Sequence, residues 1–410
     1  MTIPQIIAEI QFTNGVWTDV SPWLVKNASI TRGSSRVESP VIRYEPGTAT
    51  IRLNNSDRRF DPTNLSGPYV SSGVSLVSPM RPLRIRATWN GVTYNLFRGF
   101  TDEFAIDWIP GVYSEATVPA TDGFKVLTSK RRAAQYNVTY DENSEPIFTP
   151  ITFGEGEDSG ARVERILDSA DWPSGDRIID TGVSTLQATT LEGDALDELY
   201  KTVETELGEC YVDASGRIVF RNRHAILTES RSTSVQASFG PTIVPMMTKL
   251  STDDATMWNE ASISRVGGIP QIFEDSASVA RNRYKTFSVS DLLFEDDLTA
   301  MNYGQWIVYT SKDPENRFDF MTLYPIQNSA TLFPQVLSRE IGDRIQISVT
   351  PPGGGSTITR QVFIRGINHE ISQENWVTTW TLQSATRYTS NFFILNSATN
   401  GVLDQNILSF

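Results

Sequence analysis

Along the first third of the chain, apolar and polar residues alternate with a period of two. Leu83-Arg84-Ile85-Arg86-Ala87-Thr88-Trp89 alternates throughout, Asn90-Gly91 follows, and Val92-Thr93-Tyr94-Asn95-Leu96-Phe97 completes the unit. Asn-Gly between two such runs predicts a β-hairpin, because both residues tolerate the positive φ that a two-residue turn needs. Residues 48–53 alternate in the same way and stop at Asn54-Asn55-Ser56-Asp57, whose side chains favour turns over ladders. Residues 99–104 and 115–118 continue the pattern, and Pro62, Pro68, Pro79 and Pro82 punctuate a long loop before the hairpin. Loops of that length in a compact domain are usually functional or interfacial. Residues 1–135 are therefore expected to form a first antiparallel β-barrel or sandwich.

The pattern then changes. Pro146, Pro150, Gly154, Gly156 and Gly160 lie among acids between residues 136 and 160, which predicts a linker or an excursion. Residues 161–170 place Val163, Ile166, Leu167 and Ala170 on one helical face. A second helix is expected over 194–207, with Leu196, Leu199, Val203 and Leu207 inward and Asp194 as its cap. Glu209-Cys210-Tyr211-Val212 and Arg217-Ile218-Val219-Phe220, separated by Asp213-Ala214-Ser215-Gly216, predict another hairpin. Linker, helices and hairpin make a small α+β domain over residues 136–228. Beyond it, residues 260–266 alternate, a helix is expected over 297–310, and strong strands over 344–349, 360–367 and 376–382. Residues 229–390 read as a second β-barrel with one helix, and 391–410 as a C-terminal extension that orders against a neighbour. The fold class is mainly β with an α+β insertion.

A chain of 410 residues is too long for one ordinary core. Its apolar runs, such as Gln305-Trp306-Ile307-Val308-Tyr309, fall far short of the roughly 20 residues that a membrane helix needs, so no membrane-spanning segment is expected. The start, Met1-Thr2-Ile3-Pro4-Gln5, lacks the features of a signal peptide, so the chain is expected to stay in the cell that makes it, or to leave without a secretion signal. Cys210 is the single cysteine, which excludes an intrachain disulfide and fits a reducing cytosol.

A net charge of −13 argues against generic affinity for nucleic-acid backbones. Its distribution is uneven. Residues 30–100 hold ten Arg (32, 36, 43, 52, 58, 59, 81, 84, 86 and 98), no Lys and four acids, a balance of +6. Residues 1–29 carry −1, which leaves −18 for 101–410. Arg without Lys suits bidentate and stacked contacts with another surface. Solvated outer strand faces are the plainer alternative.

Catalytic patterns are absent from the sequence. His224 and His369 lie 145 residues apart with no second ligand at metal spacing. Neither a His-Glu-x-x-His pair, a Gly-x-Ser-x-Gly elbow, a phosphate loop nor a dinucleotide fingerprint occurs. Gly353-Gly354-Gly355 reads as a turn, and Glu155-Gly156-Glu157-Asp158 as solvated linker, because it lacks the spaced ligands of a calcium loop. Trp376 and Trp380 share one strand face, where core packing is the first expectation and a sugar-binding platform the second. No catalytic, cofactor-binding or metal residue is therefore assigned, and no cofactor.

Residues 46–62, ending Asn54-Asn55-Ser56-Asp57-Arg58-Arg59-Phe60-Asp61-Pro62, resemble a stretch of the minor tail proteins of long-tailed (siphovirus-type) bacteriophages. Pro79-Met80-Arg81-Pro82, the hairpin through Arg98-Gly99-Phe100, Ala120-Thr121-Asp122-Gly123-Phe124, the helix carrying Tyr303 and Trp306, and Gly342-Asp343-Arg344 follow in that family's order. The chain departs from it at Arg58, where the pattern has Gly, and at residues 101–104, which lack a Trp. It is most similar to the baseplate or tail-tip hub, which implies two tail-tube-like β-barrels and a small inserted α+β domain. The resemblance further implies a non-enzymatic homotrimer at the virion tail tip, assembled in the host cytoplasm, whose six barrels join the sixfold tail tube to threefold tip components. Implied partners are the distal tail ring, the tape measure protein, tail fibres or a tip spike, and genomic DNA passing through the lumen without specific binding. On this reading, acids of 101–410 partly line the channel and repel phosphate, while the Arg-rich N-terminal part contacts other subunits or rings. The competing readings are a hexameric distal tail ring protein, a receptor-binding or glycan-binding adhesin, and a cell-wall-degrading enzyme, for which no spare domain of lysozyme size remains.

Overall fold

The computed structural model describes residues 3–109, 113–190, 192–240 and 247–388. Fourteen strands build the main sheet: β1 Gln5–Thr13, β2 Val16–Asp19, β3 Leu24–Gly33, β4 Glu45–Asn54, β5 Pro82–Trp89, β6 Val92–Thr101, β7 Ala105–Ile109, β8 Tyr113–Thr121, β9 Ala237–Phe239, β10 Met247–Asp253, β11 Glu315–Leu323, β12 Arg344–Val349, β13 Ile358–Ile371 and β14 Trp376–Ser384. Their order is β2-β1-β5-β6-β8-β4-β3-β13-β14-β11-β10, with β7 beside β8, β12 beside β13 and β9 beside β12.

The alternation in sequence becomes alternation in burial. Leu83, Ile85, Ala87 and Trp89 of β5 point into the core, and Arg84, Arg86 and Thr88 do not. Asn90 (φ 48°) and Gly91 (φ 80°) make the left-handed turn into β6. The expected mainly β class with an α+β insertion is what the chain adopts. Its two β halves meet edge to edge in one sheet, because β13 serves both. The first part of β13 pairs with β12, from Ile358 to Phe363, and its last part pairs with β3, from Gly366 to Ile371. A register shift against β14 between Ile364 and Gly366 marks the changeover. One apolar cluster, including Ile10, Ile30, Ile51 and Ile85 with Ile345, Ile364, Trp376 and Trp380, fills the space between strands from both ends of the chain.

Between the halves, α1 (Ser159–Ser169) and α2 (Ala195–Glu206) pack on a three-stranded sheet of Arg177–Ile179, Ile218–Arg221 and Glu209–Val212. Leu167, Trp172, Leu199 and Phe220 form its core. Both helices and the hairpin stand where the spacing predicts them. Asp158 caps α1, accepting from the Ala161 N–H at 3.0 Å. Asp194 occupies the cap position of α2 but makes no side-chain capping bond; its backbone pairs with Arg131 instead.

Two parts of the second half differ from expectation. Glu260–Arg265 leaves the main sheet and lies between Gln271–Glu274 and, in parallel, Thr286–Leu292, under α3 (Asp297–Ser311). Alternation reports which face of a strand is buried, not which strand is its neighbour. The half also holds more than one helix. In α4 (Ser329–Ser338), Pro334 interrupts what would otherwise read as a helical pattern. Phe333 of α4 lies 4.8 Å from Trp89 and 5.5 Å from Trp376, ring to ring, and so plugs the core between the halves. The extension at 391–410 lies outside the described residues.

Candidate functional site: an assembly interface

The residues that carry chemistry elsewhere serve packing here. His369 is buried in β13, where its Nδ1 shares a 2.9 Å hydrogen bond with Thr378 Oγ1; burial, with the nearby Arg32 charge, lowers its pKa to about 3 and keeps the ring neutral. His224 opens the short helix Ala225–Thr228 in a different region. Burial pushes the Cys210 thiol well up from its ordinary value. Among the described residues no group of three His, Cys, Asp or Glu side chains is placed to hold a metal. The acidic run at 155–158 is not simply solvated: Glu157 pairs with the buried Arg162 and with Arg165, and Asp158 is spent on its cap. Trp376 and Trp380 are fully buried, so neither can offer a sugar platform.

The Arg-rich segment divides in two. Arg84 and Arg86 of β5 grip Glu9 of β1 at 2.7 and 2.6 Å, with Arg84 also stacked over Trp17. Their hydrogen bonds, Arg84's foremost, hold the Glu9 carboxyl below its usual range. Arg98 makes a bidentate pair with Asp176, both bonds 2.9 Å, which ties β6 to the inserted layer. Arg32 is buried and reaches Glu340 at 2.7 Å. These side chains fasten the chain to itself and are not simply solvated. Arg36, Arg43, Arg52 and Arg58 also pair within the chain, with Glu38, Asp197, Glu115 and Asp61, but their side chains remain 77, 67, 53 and 56% exposed, and all lie on β4 or its flanking loops.

Exposed apolar residues stand on strands at the margins of the sheet. Among the described residues β7 is bonded only along its side facing β8, and Trp108 and Ile109 stand exposed on it, opposite Ser114 and Tyr113 and on opposite faces of the strand. Among the described residues the long sheet ends at β2 and β10, each bonded on one side, and Met247 and Leu250 of β10 are exposed. Such edges present rows of unpaired N–H and C=O groups that another strand can complete. Sequence patterns foretold the strands but not which of them would be left at an edge.

No protein-family model matches the chain, and no curated protein matches it in sequence. Solved structures do match. The tail protein from Neisseria meningitidis MC58 superposes with a TM-score of 0.60 over 95% of this chain and 100% of that one, at 10% identity. The 43 kDa tail protein of prophage MuSo2 from Shewanella oneidensis gives 0.55 over 94% and 98%, at 12% identity. This chain shares the fold of tail proteins. The likeness covers nearly the whole length of each partner, so the inserted α+β layer and both β halves belong to the shared architecture. Among the described residues no helix is long and apolar enough to cross a membrane.

Proposed function

We propose that this chain is a structural subunit of a phage-type tail: the homotrimeric hub of the tail tip, surrounding the DNA channel. The β3–β13 seam carries the reading. It joins two β halves side by side within one chain, so three chains supply six β modules, and the edges at β2 and β10 are where the next chain would continue the ring. A closed ring leaves no edge exposed, which a lone chain of this kind does. The hub is non-enzymatic, built from modules at 1–135 and 229–390 around an insertion at 136–228. It connects the distal tail ring and tape measure protein to fibres or a spike, and a net charge of −13 lets DNA pass without adhering. Light scattering over a concentration series tests this. Three copies are expected; six copies would favour the distal ring, and a monomer at every concentration would overturn self-assembly into a ring.

A further inference from the structure

A trough runs where the three parts of the chain meet. Val41 from the loop before β4, Leu207 at the end of α2, Ile226 of the short helix Ala225–Thr228 and Ile307 of α3 line its larger cavity, so the first β half, the inserted layer and the second half each supply a wall. A second cavity shares Pro40 and Tyr388 with the first, which makes the trough continuous past Tyr388. Val41, Leu207 and Ile226 are only half-buried. Covering such side chains removes apolar area from water. The charges on the wall ask for no partner from outside: Arg221 pairs with Glu229, Arg231 with Asp343 and Arg365 with Glu209. The trough therefore suits an uncharged apolar segment, since a charge brought into it would be buried without a new counterpart.

The chain delivers such a segment to this place. After β14 the backbone turns, with the Tyr388 N–H donating to the Ala385 carbonyl at 3.1 Å, and the Tyr388 ring rests 6.0 Å from that of Phe363. Tyr388 is thus held on the wall of the trough. The sequence continues Thr389-Ser390-Asn391-Phe392-Phe393-Ile394-Leu395, and the first charge after Tyr388 is Asp404. At about 3.6 Å per residue, residues 392–395 lie within about 25 Å of Tyr388, close to the cavity whose wall they leave. We infer that residues 392–395 seat their apolar side chains in the trough of their own chain, as a strap across the junction of the three parts. The strap goes beyond the copy number proposed above and does not depend on it.

Two experiments on the full-length chain test it. Phe392→Ser, Phe393→Ser, Ile394→Ser and Leu395→Ser together are expected to lower the unfolding temperature by at least about 3 °C while the copy number by light scattering stays that of wild type. A benzophenone crosslinker in place of Phe393, in light and heavy chains refolded together, should join position 393 to residues 39–42, 207–232 or 306–310 of the same isotope. This second experiment needs no loss of packing, so it stands even if the serine variant fails to fold. An unchanged unfolding temperature, crosslinks to another region, or products joining light to heavy chains would overturn the strap, the last by placing the segment on a neighbouring copy. None of these outcomes touches the ring, which the light-scattering mass of the wild type decides.

Discussion

Gly33 and Gly366 stand opposite each other where β3 meets β13, and each backbone occupies the space that a side chain on its neighbour would need. A Cβ on Gly33 would lie 2.4 Å from the Arg365 carbonyl oxygen, and one on Gly366 would lie 2.2 Å from that of Ser34. Ser34 also donates its N–H to Arg365 at 2.9 Å, so the two strands cannot part without losing the bond. Gly366→Ala is therefore expected to cost about 3 kcal/mol of stability, read from urea unfolding. Gly353→Ala, in the exposed turn with open space around it, should change stability by less than about 0.5 kcal/mol.

Glu9 is shared by two guanidiniums in a largely buried position. Removing its charge leaves Arg84 and Arg86 facing one another, whereas removing one arginine leaves a complete pair. Glu9→Gln should accordingly lower stability by about 2 kcal/mol, and Arg86→Gln by about half as much. Equal losses in chemical denaturation would show that the carboxylate is not the shared element.

Leu250 is exposed on the outer strand β10, so Leu250→Lys should leave the unfolding temperature nearly unchanged. A charged edge resists pairing with another strand. If β10 continues into the next chain, the same substitution should weaken self-association by about tenfold in light scattering. Wild-type association would place the intersubunit contact elsewhere.

Arg58 shows how much sequence carried, and where it stopped. The tail-protein pattern has Gly at this position, and the structure gives Arg58 a left-handed φ of 59°, the conformation that glycine adopts without cost. A departure in sequence thus marked a real backbone requirement, met here by an arginine that pairs with Asp61 at 2.8 Å. Arg58→Val should be less stable than Arg58→Gly by about 2 kcal/mol, since a branched side chain is least tolerated there. Strands such as β5 and helices such as α2 were legible because burial imposes a period on local sequence. The seam was not, since nothing local tells β13 to divide its bonds between β12 and β3. Nor was α4, whose Pro334 hides a helix that tertiary packing of Phe333 sustains.

Asp122 and His369 should give the protein opposing pH dependences. The Asp122 carboxyl accepts N–H bonds from Gly47 at 2.6 Å and Phe124 at 3.0 Å, yet burial raises its pKa from 3.8 to about 7. His369 is shifted the other way by burial, from 6.5 to about 3, and Arg32 bears on both groups. Between about pH 4 and 6.5 the folded chain holds a proton on Asp122 that the unfolded chain has released, so this group's stabilising contribution falls as pH rises. Over the same window the unfolded chain holds a proton on the imidazole that the folded chain excludes, so His369's contribution rises with pH. The two nearly cancel in the wild type. Each substitution should uncover the other group: relative to wild type, His369→Gln stability should decline with pH, and Asp122→Asn stability should climb, each by up to about 1.4 kcal/mol per pH unit. Packing losses displace each curve without tilting it, so the slope difference measured by urea unfolding from pH 4 to 7 is the readout. Curves parallel to wild type for both variants would mean that neither group titrates differently in the folded chain.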